Sequence, residues 1–165
     1  MQEARNKDKQ MHRVGIIPFD IRDDLLAILF VTSQTRGRWI LPKGKRKKGE
    51  SHMDACLREG FEEAGVRGVV LEDFPMTHVV TKLSDTGKLE IPVTYFPFLV
   101  TEQAEDWPEK KFRQRHWALL EDAPRVAYPE DFHLVLGQFD SLGRWIREAA
   151  REHKPQKQPE LMPAQ

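Results

Sequence analysis

Three glutamates in the first half of the chain have a spacing that suits metal binding. Glu62 and Glu63 follow Glu59 by three and four positions, so on a helix the three side chains share one face. Like charges at this spacing repel by about 0.2–0.5 kcal/mol per pair, and a bound cation would remove that cost. Carboxylate oxygens suit Mg²⁺ or Mn²⁺, which are shared with substrate phosphates. Alone, these residues would equally fit a solvated face of a surface helix.

The residues around these glutamates follow a longer pattern. From residue 44 to residue 66 it runs as a glycine, five residues, a glutamate, seven residues, Arg-Glu, two residues, Glu-Glu, one residue, a glycine and an aliphatic residue. The matching positions are Gly44, Glu50, Arg58, Glu59, Glu62, Glu63, Gly65 and Val66. This segment resembles the signature of the Nudix hydrolases. Gly60 departs from that signature, because an aliphatic residue is usual there, and we expect a softer helix or a close approach to the sheet.

The resemblance extends beyond the signature and covers roughly residues 12–127, a length typical of a single domain. Residues 13–19, 37–44 and 107–120 look like the diphosphoinositol polyphosphate phosphohydrolase branch of the family. It implies that the three glutamates and the backbone carbonyl of Gly44 hold Mg²⁺ or Mn²⁺. It also implies a structural ion pair between Glu50 and Arg58.

The resemblance leaves the general base open. One glutamate of the signature, Glu63 or Glu59, would orient or deprotonate the attacking water. In some relatives a glutamate from a later loop takes this role, and the candidates here are Glu102, Glu105 and Glu109.

Cations near the signature are candidates for binding substrate phosphates. A loop beside it carries Lys43, Lys45, Arg46, Lys47 and Lys48, and such a run either is solvated or contacts further phosphates. Three arginines align by resemblance with phosphate-binding positions, although each would equally fit a surface charge. The phosphate-binding candidates are Arg13, Lys43, Lys45, Arg46, Arg113 and Arg115.

Local patterns predict the elements that must position these residues. A helix is predicted over residues 51–64. Ser51 and Asp54 fit a capping pair at its start, and Gly65 fits a C-terminal cap in the left-handed conformation. Asp23 and Asp24 fit a hairpin turn between the first two strands. The predicted strands cover residues 14–19, 25–33, 39–41, 68–74, 77–83, 89–100 and 115–120.

Prolines and glycines affect the predictions for one strand and for the C-terminal helix. Pro92 and Pro97 indicate that strand 89–100 lies at an edge or carries a bulge. A short helical turn is predicted over residues 121–126. A longer helix follows over residues 129–150, with an apolar stripe that includes Trp145. Its two glycines, Gly137 and Gly143, weaken the prediction that this helix is continuous.

The order of elements predicts an α/β (α+β) fold. The resemblance implies an α/β/α sandwich, a mixed sheet with the signature helix and a C-terminal helix packed on it. We expect a flexible leader at residues 1–10, a single domain at 11–150 and a disordered tail at 151–165.

Composition narrows the classes of protein. Among 165 residues, 39% are hydrophobic, 32% are charged and the formal net charge is zero, as in a soluble globular protein with no membrane or nucleic-acid partner. We expect no signal peptide and no membrane span. A single cysteine, Cys56, favours a reducing cytoplasm. The sequence leaves monomer and homodimer open.

The leading functional prediction is metal-dependent hydrolysis of a diphosphate linkage in a diphosphoinositol polyphosphate or dinucleoside polyphosphate. A nucleoside triphosphate or ADP-ribose pyrophosphohydrolase is the alternative, though Lys82 stands where a tyrosine or proline often marks other branches. A non-catalytic ligand-sensing domain and an RNA-end pyrophosphohydrolase are weaker alternatives.

Overall fold

A mixed eight-stranded sheet lies between two helical layers. The computed structural model describes residues 12–153, apart from the side chains of residues 83 and 84. The strands are β1 (Arg13–Arg22), β2 (Leu25–Thr32), β3 (Trp39–Ile40), β4 (Lys43–Gly44), β5 (Val66–Val70), β6 (Met76–Ser84), β7 (Gly87–Gln103) and β8 (Arg115–Leu119). The helices are α1 (His52–Ala64), α2 (Ala123–Val126), α3 (Pro129–Ser141) and α4 (Gly143–His153).

The parallel pair β1 and β7 forms the middle of the sheet, and the other registered pairs are antiparallel. The main path runs β3-β2-β1-β7-β5, with β4 on β1, β6 on β7 and β8 on β2. One face packs on α1 through a core that includes Ile16, Cys56 and Phe98. The other packs on α3 and α4 through a core that includes Phe19 and Phe139. This arrangement confirms the predicted α/β fold.

The hairpin between β1 and β2 turns at the predicted residues. Asp23 and Asp24 have φ values of 50° and 64°. Two successive left-handed residues are what a two-residue type I′ hairpin turn requires, and aspartate tolerates this conformation. The turn aligns Arg22 with Leu25 and continues to the pair Phe19–Ile28.

Of the two alternatives predicted for strand 89–100, the edge position was wrong, whereas the register of β7 with β5 does shift as at a β-bulge, between Arg67 and Gly68. β7 pairs with β1 on one side and with β5 and β6 on the other. Pro97 lies between the ends of β6 and β5, which pair with Tyr95 and Phe98. The N–H and C=O of one strand residue point to the same side, and successive residues alternate between the two sides. The Pro97 carbonyl accepts from Leu71 N at 2.8 Å. The missing N–H of Pro97 therefore faces this gap.

The predicted C-terminal helix is two helices. α3 ends at Ser141 and α4 begins at Gly143, with Leu142 between them at φ −90° and ψ 2°. Trp145, predicted to lie on the apolar stripe, is 52% exposed, whereas Ile146 and Ala150 of α4 are buried. The predicted leader and the tail beyond His153 lie outside the described residues.

Candidate active site

Helix α1 carries the signature glutamates and is held at both ends by its caps. The Ser51 hydroxyl accepts a hydrogen bond from the Asp54 N–H at 3.0 Å. Gly65, at φ 66°, ends the helix and donates to the Phe61 carbonyl at 3.0 Å. The buried face includes Cys56 and Ala64, whereas Leu57 is 40% exposed.

Two of the three signature glutamates are buried. Glu59 is 7% exposed and Glu63 is 6% exposed. Burial raises the pKa of Glu59 in spite of the neighbouring Arg58 guanidinium, and it raises the pKa of Glu63 to about 8 in spite of Arg113. Two adjacent carboxyl groups withdrawn from water in this way form a site where a cation stabilises the ionised state.

Gly44 lies directly against one of these carboxylates. β4 places it opposite Val14 of β1, in line with the middle of α1. A β-carbon on residue 44 would collide with the Glu59 carboxylate. Only glycine therefore allows the backbone after β4 to approach this acid so closely.

Arg58 joins the loop after β4 to three glutamates. It contacts Glu50 Oε2 through Nε at 2.8 Å, and its Nη1 lies 2.7 Å from Glu59 Oε1 and 3.3 Å from Glu62 Oε2. Its Nη2 also donates to the Lys45 carbonyl at 2.8 Å. The Arg58 guanidinium lowers the pKa of Glu50 to about 2. The contacts with Glu59 and Glu62 go beyond the expected pair with Glu50.

Glu63 faces a buried arginine from a distant part of the chain. Arg113 Nη2 lies 3.4 Å from Glu63 Oε1, and both side chains are 8% exposed. Arg113 is held in place because Nη1 donates to the Thr32 carbonyl at 2.8 Å. The Lys43 backbone N–H donates to Glu63 Oε2 at 3.3 Å. The predicted phosphate binders Lys43 and Arg113 are thus brought to the acidic pair.

The structure separates the three candidate bases. Glu109 lies beside the site, 3.4 Å from Arg113 Nη2, and accepts from Gln34 Nε2 at 2.8 Å. The side chain of Glu102 is 65% exposed and its nearest cation is Arg67 at 4.0 Å. Glu105 is exposed, and its described contact is a backbone one, its carbonyl accepting from Lys110.

The remaining phosphate-binding candidates lie in different surroundings. Lys45 and Arg46 are exposed on the loop after β4, and Arg13 is half-buried at the start of β1. Arg115 instead supports the protein: its guanidinium stacks on Trp107 at 3.8 Å and donates to the Ala64 and Ala104 carbonyls. These contacts hold the Arg115 guanidinium at the end of α1. This arrangement does not favour the predicted contact with a substrate phosphate.

Sequence reasoning missed three residues around the site. Trp107 Nε1 donates to the Glu63 carbonyl at 3.0 Å, and Asp131 from α3 lies near the Lys43 ammonium, whose positive charge it stabilises. The Tyr95 hydroxyl is buried without a hydrogen-bond partner, and the Glu63 and Asp131 charges act on it. A strand tyrosine and a first-turn aspartate carry no spacing signal, so only the fold reveals them.

The donor set of the site suits a hard divalent cation. Within residues 12–153, no three His, Cys, Asp or Glu side chains are grouped so that they could hold a metal ion as they stand, and Arg58 Nη1 contacts both Glu59 and Glu62. Two buried carboxylates, a third at the surface and the close approach of Gly44 nevertheless supply the oxygen ligands that Mg²⁺ and Mn²⁺ prefer. We judge that these residues fit such an ion.

Comparisons with known proteins are consistent with this geometry. A family model described as NUDIX domain matches residues 9–136. Nudix hydrolase 21, chloroplastic, of Arabidopsis thaliana is 35% identical over 117 residues, which cover 67% of this chain and 56% of that protein. Diphosphoinositol polyphosphate phosphohydrolase 3-alpha of Mus musculus is 31% identical over 101 residues, covering 60% and 58%. The chain thus spans a little over half the length of these relatives.

Solved structures share the fold at low sequence identity. A Nudix hydrolase from M. smegmatis has a TM-score of 0.60 and 18% identity, covering 83% of this chain and 88% of its own. An Ap4A hydrolase binary complex from C. elegans has a TM-score of 0.58 and 19% identity, covering 82% and 98%. No helix in the stretch from residue 12 to residue 153 is long and apolar enough to cross a membrane.

Proposed function

The chain belongs to the Nudix family, and from this premise we propose that it hydrolyses a diphosphate linkage in a phosphorylated small molecule with the help of Mg²⁺ or Mn²⁺. The observation that carries the proposal is the pair of buried carboxyl groups, Glu59 and Glu63, packed beside Gly44. In a protein without such chemistry, two buried acids of like charge would be a net cost.

The metal would be held by Glu59, Glu62, Glu63 and the Gly44 carbonyl. When bound, it would neutralise phosphate charge and lower the pKa of a water molecule. The chain's own residues then have separate tasks. Arg58 fixes the directions of Glu59 and Glu62 through contacts of 2.7 and 3.3 Å, and the absence of a side chain at Gly44 leaves room for the Glu59 carboxylate against the backbone.

Proton transfer in this proposal belongs to the acids near Arg113. Arg113 Nη2 lies 3.4 Å from both Glu63 Oε1 and Glu109 Oε1, so one nitrogen of the guanidinium contacts both carboxylates. Glu63 is the residue we assign to orient the attacking water, with Glu109 as the loop acid that receives its proton. Glu102 and Glu105 are left outside this role by their positions.

We propose a substrate with several phosphate groups, either a diphosphoinositol polyphosphate or a dinucleoside polyphosphate. The support is the density of cations around the acidic pair: Lys43 and Arg113 within the site, and Arg13, Lys45 and Arg46 at its border. Charge-assisted contacts to phosphate are about twice as strong as neutral ones. Relatives whose names refer to diphosphoinositol polyphosphate or Ap4A agree with this choice.

The same proposal covers partners and location. The partner is a small-molecule polyphosphate, and we expect neither nucleic acid nor membrane, with monomer and homodimer both open. The cytoplasm remains our prediction because the one cysteine is an unpaired, buried thiol, although similar Arabidopsis proteins carry chloroplastic and mitochondrial names.

A substrate panel tests the proposal. Phosphate release is measured from a diphosphoinositol polyphosphate, diadenosine polyphosphates, ADP-ribose and nucleoside triphosphates, with Mg²⁺, with Mn²⁺ and with a chelator. We expect turnover of one of the first two classes that the chelator abolishes. Preference for ADP-ribose or a triphosphate would support the alternative pyrophosphohydrolases. Binding without turnover of any member would support a ligand-sensing domain and contradict the proposal.

A further inference from the structure

The loop between β7 and β8, residues 104–114, is hydrogen-bonded to the C-terminal end of α1. The last carbonyls of a helix have no partner within the helix itself. In α1, the Glu62 carbonyl accepts from the Glu109 backbone N–H at 3.1 Å. The Gly65 carbonyl, directly after the helix, accepts from the Ala104 N–H at 2.8 Å. The backbone of the loop is therefore attached to the helix end at its start and again in its middle.

Two side chains, Trp107 and Arg115, complete this attachment. Trp107 Nε1 donates to the Glu63 carbonyl at 3.0 Å. Arg115, the first residue of β8, donates from Nη1 to the Ala64 carbonyl at 3.1 Å and to the Ala104 carbonyl at 2.8 Å. Arg115 Cζ also lies 3.8 Å from the centre of the Trp107 ring, so the guanidinium stacks on the indole. We call Trp107 and Arg115 the helix-end clamp.

Arg115 also compensates the charge at this end of α1. The C-terminal end of a helix carries a partial negative charge, which a nearby cation stabilises. Within its range His52–Ala64, α1 has no basic residue in the last turn, where it carries Glu62 and Glu63. The Arg115 guanidinium brings a positive charge to the helix end from another part of the chain. The clamp thus stabilises the part of α1 that holds two of the signature glutamates.

Gly65 leaves room for the clamp. A β-carbon on residue 65 would lie 2.9 Å from both Cβ and Cγ of Trp107, and 3.1 Å from Arg115 Nη1. Non-bonded carbon atoms pack at about 3.5–4.0 Å, so a side chain on residue 65 would displace the indole. The glycine therefore serves both the left-handed end of α1, at φ 66°, and the packing of Trp107 against that end.

The loop held by the clamp carries a group of the proposed active site. Glu109 lies in it, and Arg113 Nη2 is 3.4 Å from both Glu109 Oε1 and Glu63 Oε1. Arg113 has its own anchor, because its Nη1 donates to the Thr32 carbonyl at 2.8 Å. The position of Glu109 depends instead on the attachment of the loop to α1, through its own N–H and through the clamp.

We propose that Trp107 and Arg115 are positioning residues for hydrolysis, which hold Glu109 at a fixed distance from Glu63. Neither side chain is assigned a contact with substrate or metal. The inference rests on the proposed function and adds to it the device that places the proton acceptor. A catalytic group displaced by about 1 Å can lower a rate by about a hundredfold. Loosening the clamp should therefore lower kcat, whereas KM should change little because Arg113 keeps its anchor.

The variants remove one part of the clamp at a time. Trp107→Phe keeps an aromatic ring for stacking and removes the Nε1 donor. Arg115→Gln removes the charge and the stacked guanidinium. Trp117→Phe is the matched control, because Trp117 Nε1 donates to Gln103 Oε1 at 2.8 Å, a contact that includes no residue of the site. Urea unfolding of each variant establishes that it is folded before the other measurements.

Hydrogen exchange tests the clamp without metal or substrate. The amides of Ala104 and Glu109 are hydrogen-bonded to carbonyls at the end of α1. In Trp107→Phe and Arg115→Gln, we expect both amides to exchange at least about tenfold faster than in wild type, because the loop opens more often. The Ala55 amide, bonded to the Ser51 carbonyl at the start of α1, should keep its wild-type rate. All three amides should keep their rates in Trp117→Phe.

Turnover of the preferred diphosphate substrate with Mg²⁺ tests the consequence. We expect kcat to fall about tenfold in each clamp variant with KM within about twofold of wild type, and no change in Trp117→Phe. If the clamp acts through Glu109, adding Trp107→Phe to Glu109→Gln should cost little beyond Glu109→Gln alone. Fully additive losses would overturn the positioning role. A raised KM at unchanged kcat in Arg115→Gln would indicate a phosphate contact and would also overturn it.

The two proposals fail in distinguishable ways. Without turnover of any diphosphate by wild type, the proposed function fails together with the positioning role, and hydrogen exchange still decides whether the clamp holds the loop. Turnover by wild type, with both clamp variants at wild-type kcat, removes the positioning role alone. Unchanged exchange of the Ala104 and Glu109 amides in both variants would contradict the clamp itself.

Discussion

Gly44 and Glu59 approach each other so closely that a β-carbon on residue 44 would overlap the Glu59 carboxylate. The contact joins the end of β4 to the middle of α1. It sets the position of a backbone carbonyl and of a buried acid relative to each other, and both are ligands in our account of the metal site.

Gly44→Ala should therefore damage the site before it damages the fold. We expect kcat/KM to fall at least about tenfold, and the free energy of unfolding to fall by about 1–3 kcal/mol, because the added methyl group must push the buried Glu59 carboxylate out of its position. Both quantities are measured on one preparation, by phosphate release and urea unfolding.

Gly137→Ala is the control for that substitution. A β-carbon at residue 137 meets no atom within 4 Å, and the residue lies within α3. Alanine should stabilise this helix by about 0.5–1 kcal/mol and leave activity unchanged. Equal activity of Gly44→Ala and Gly137→Ala would contradict the proposed role of Gly44.

Glu109 should be distinguishable from the two other loop glutamates. Because Arg113 links it to Glu63, we expect Glu109→Gln to lower kcat about tenfold to a hundredfold with a smaller change in KM. Glu102→Gln and Glu105→Gln provide matched controls, since both side chains are exposed away from Arg113. A loss of kcat in either control comparable to that in Glu109→Gln would reassign the base.

The ion pair of Glu50 with Arg58 should make stability depend on acid pH. The pKa of Glu50 is lowered from 4.5 to about 2 by the Arg58 guanidinium. A carboxyl whose pKa is depressed in the folded state stabilises the protein above its ordinary pKa, and that contribution is lost as pH falls towards the depressed value. The relevant window therefore runs from about pH 4.5 down to about pH 2.

Glu50→Gln tests this dependence by urea unfolding across the window. The variant should be less stable than wild type by about 1–2 kcal/mol near neutral pH, and the difference should vanish near the bottom of the window. The exposed acid Glu148, 3.8 Å from Arg144, serves as control, and Glu148→Gln should change stability by less than about 0.5 kcal/mol. A pH-independent difference for Glu50→Gln would rule out ionisation as its cause.

Cys56 should be chemically silent in the folded protein. It is fully buried, its Sγ lies 3.7 Å from the Gly15 carbonyl, and burial raises its pKa to about 12. Because the thiolate is the reactive form, a disulfide reagent near neutral pH should label the unfolded chain and not the native one. An exposed cysteine introduced by Ser141→Cys should be labelled in the native protein, which shows that the reagent is active.

The parts of this molecule that were predictable from the sequence are those encoded by neighbouring residues. Ser51, Gly65 and the spacing of the glutamates define α1 because caps and helical periodicity act within a few residues. Asp23 and Asp24 define the hairpin for the same reason. At Gly60, the alternative of a close approach holds: a β-carbon there would lie 2.9 Å from Ile16 Cδ1 on the sheet.

Contacts between distant segments were outside the reach of local patterns. Arg113 meets Glu63 across 50 positions of sequence, and Trp107 meets the same residue across 44. The central position of β7 was missed because of its prolines. A proline is excluded from the interior of a sheet only where a neighbouring strand faces its nitrogen. Whether a strand does so here depends on where β5 and β6 end. The break at Leu142, by contrast, had a local signal, because the next helix begins at Gly143, one of the two glycines that weaken the predicted continuity.

Hydrolysis by Glu63→Gln protein, compared with wild type and Glu148→Gln, tests the central claim most directly. The substitution keeps the shape of a side chain that is 6% exposed and removes its charge. With a diphosphate substrate and Mg²⁺, we predict that kcat falls by at least about a hundredfold in Glu63→Gln, with folding intact, while Glu148→Gln retains wild-type kcat. Turnover by Glu63→Gln within about threefold of wild type would contradict the assignment of this buried acidic site as the place of catalysis.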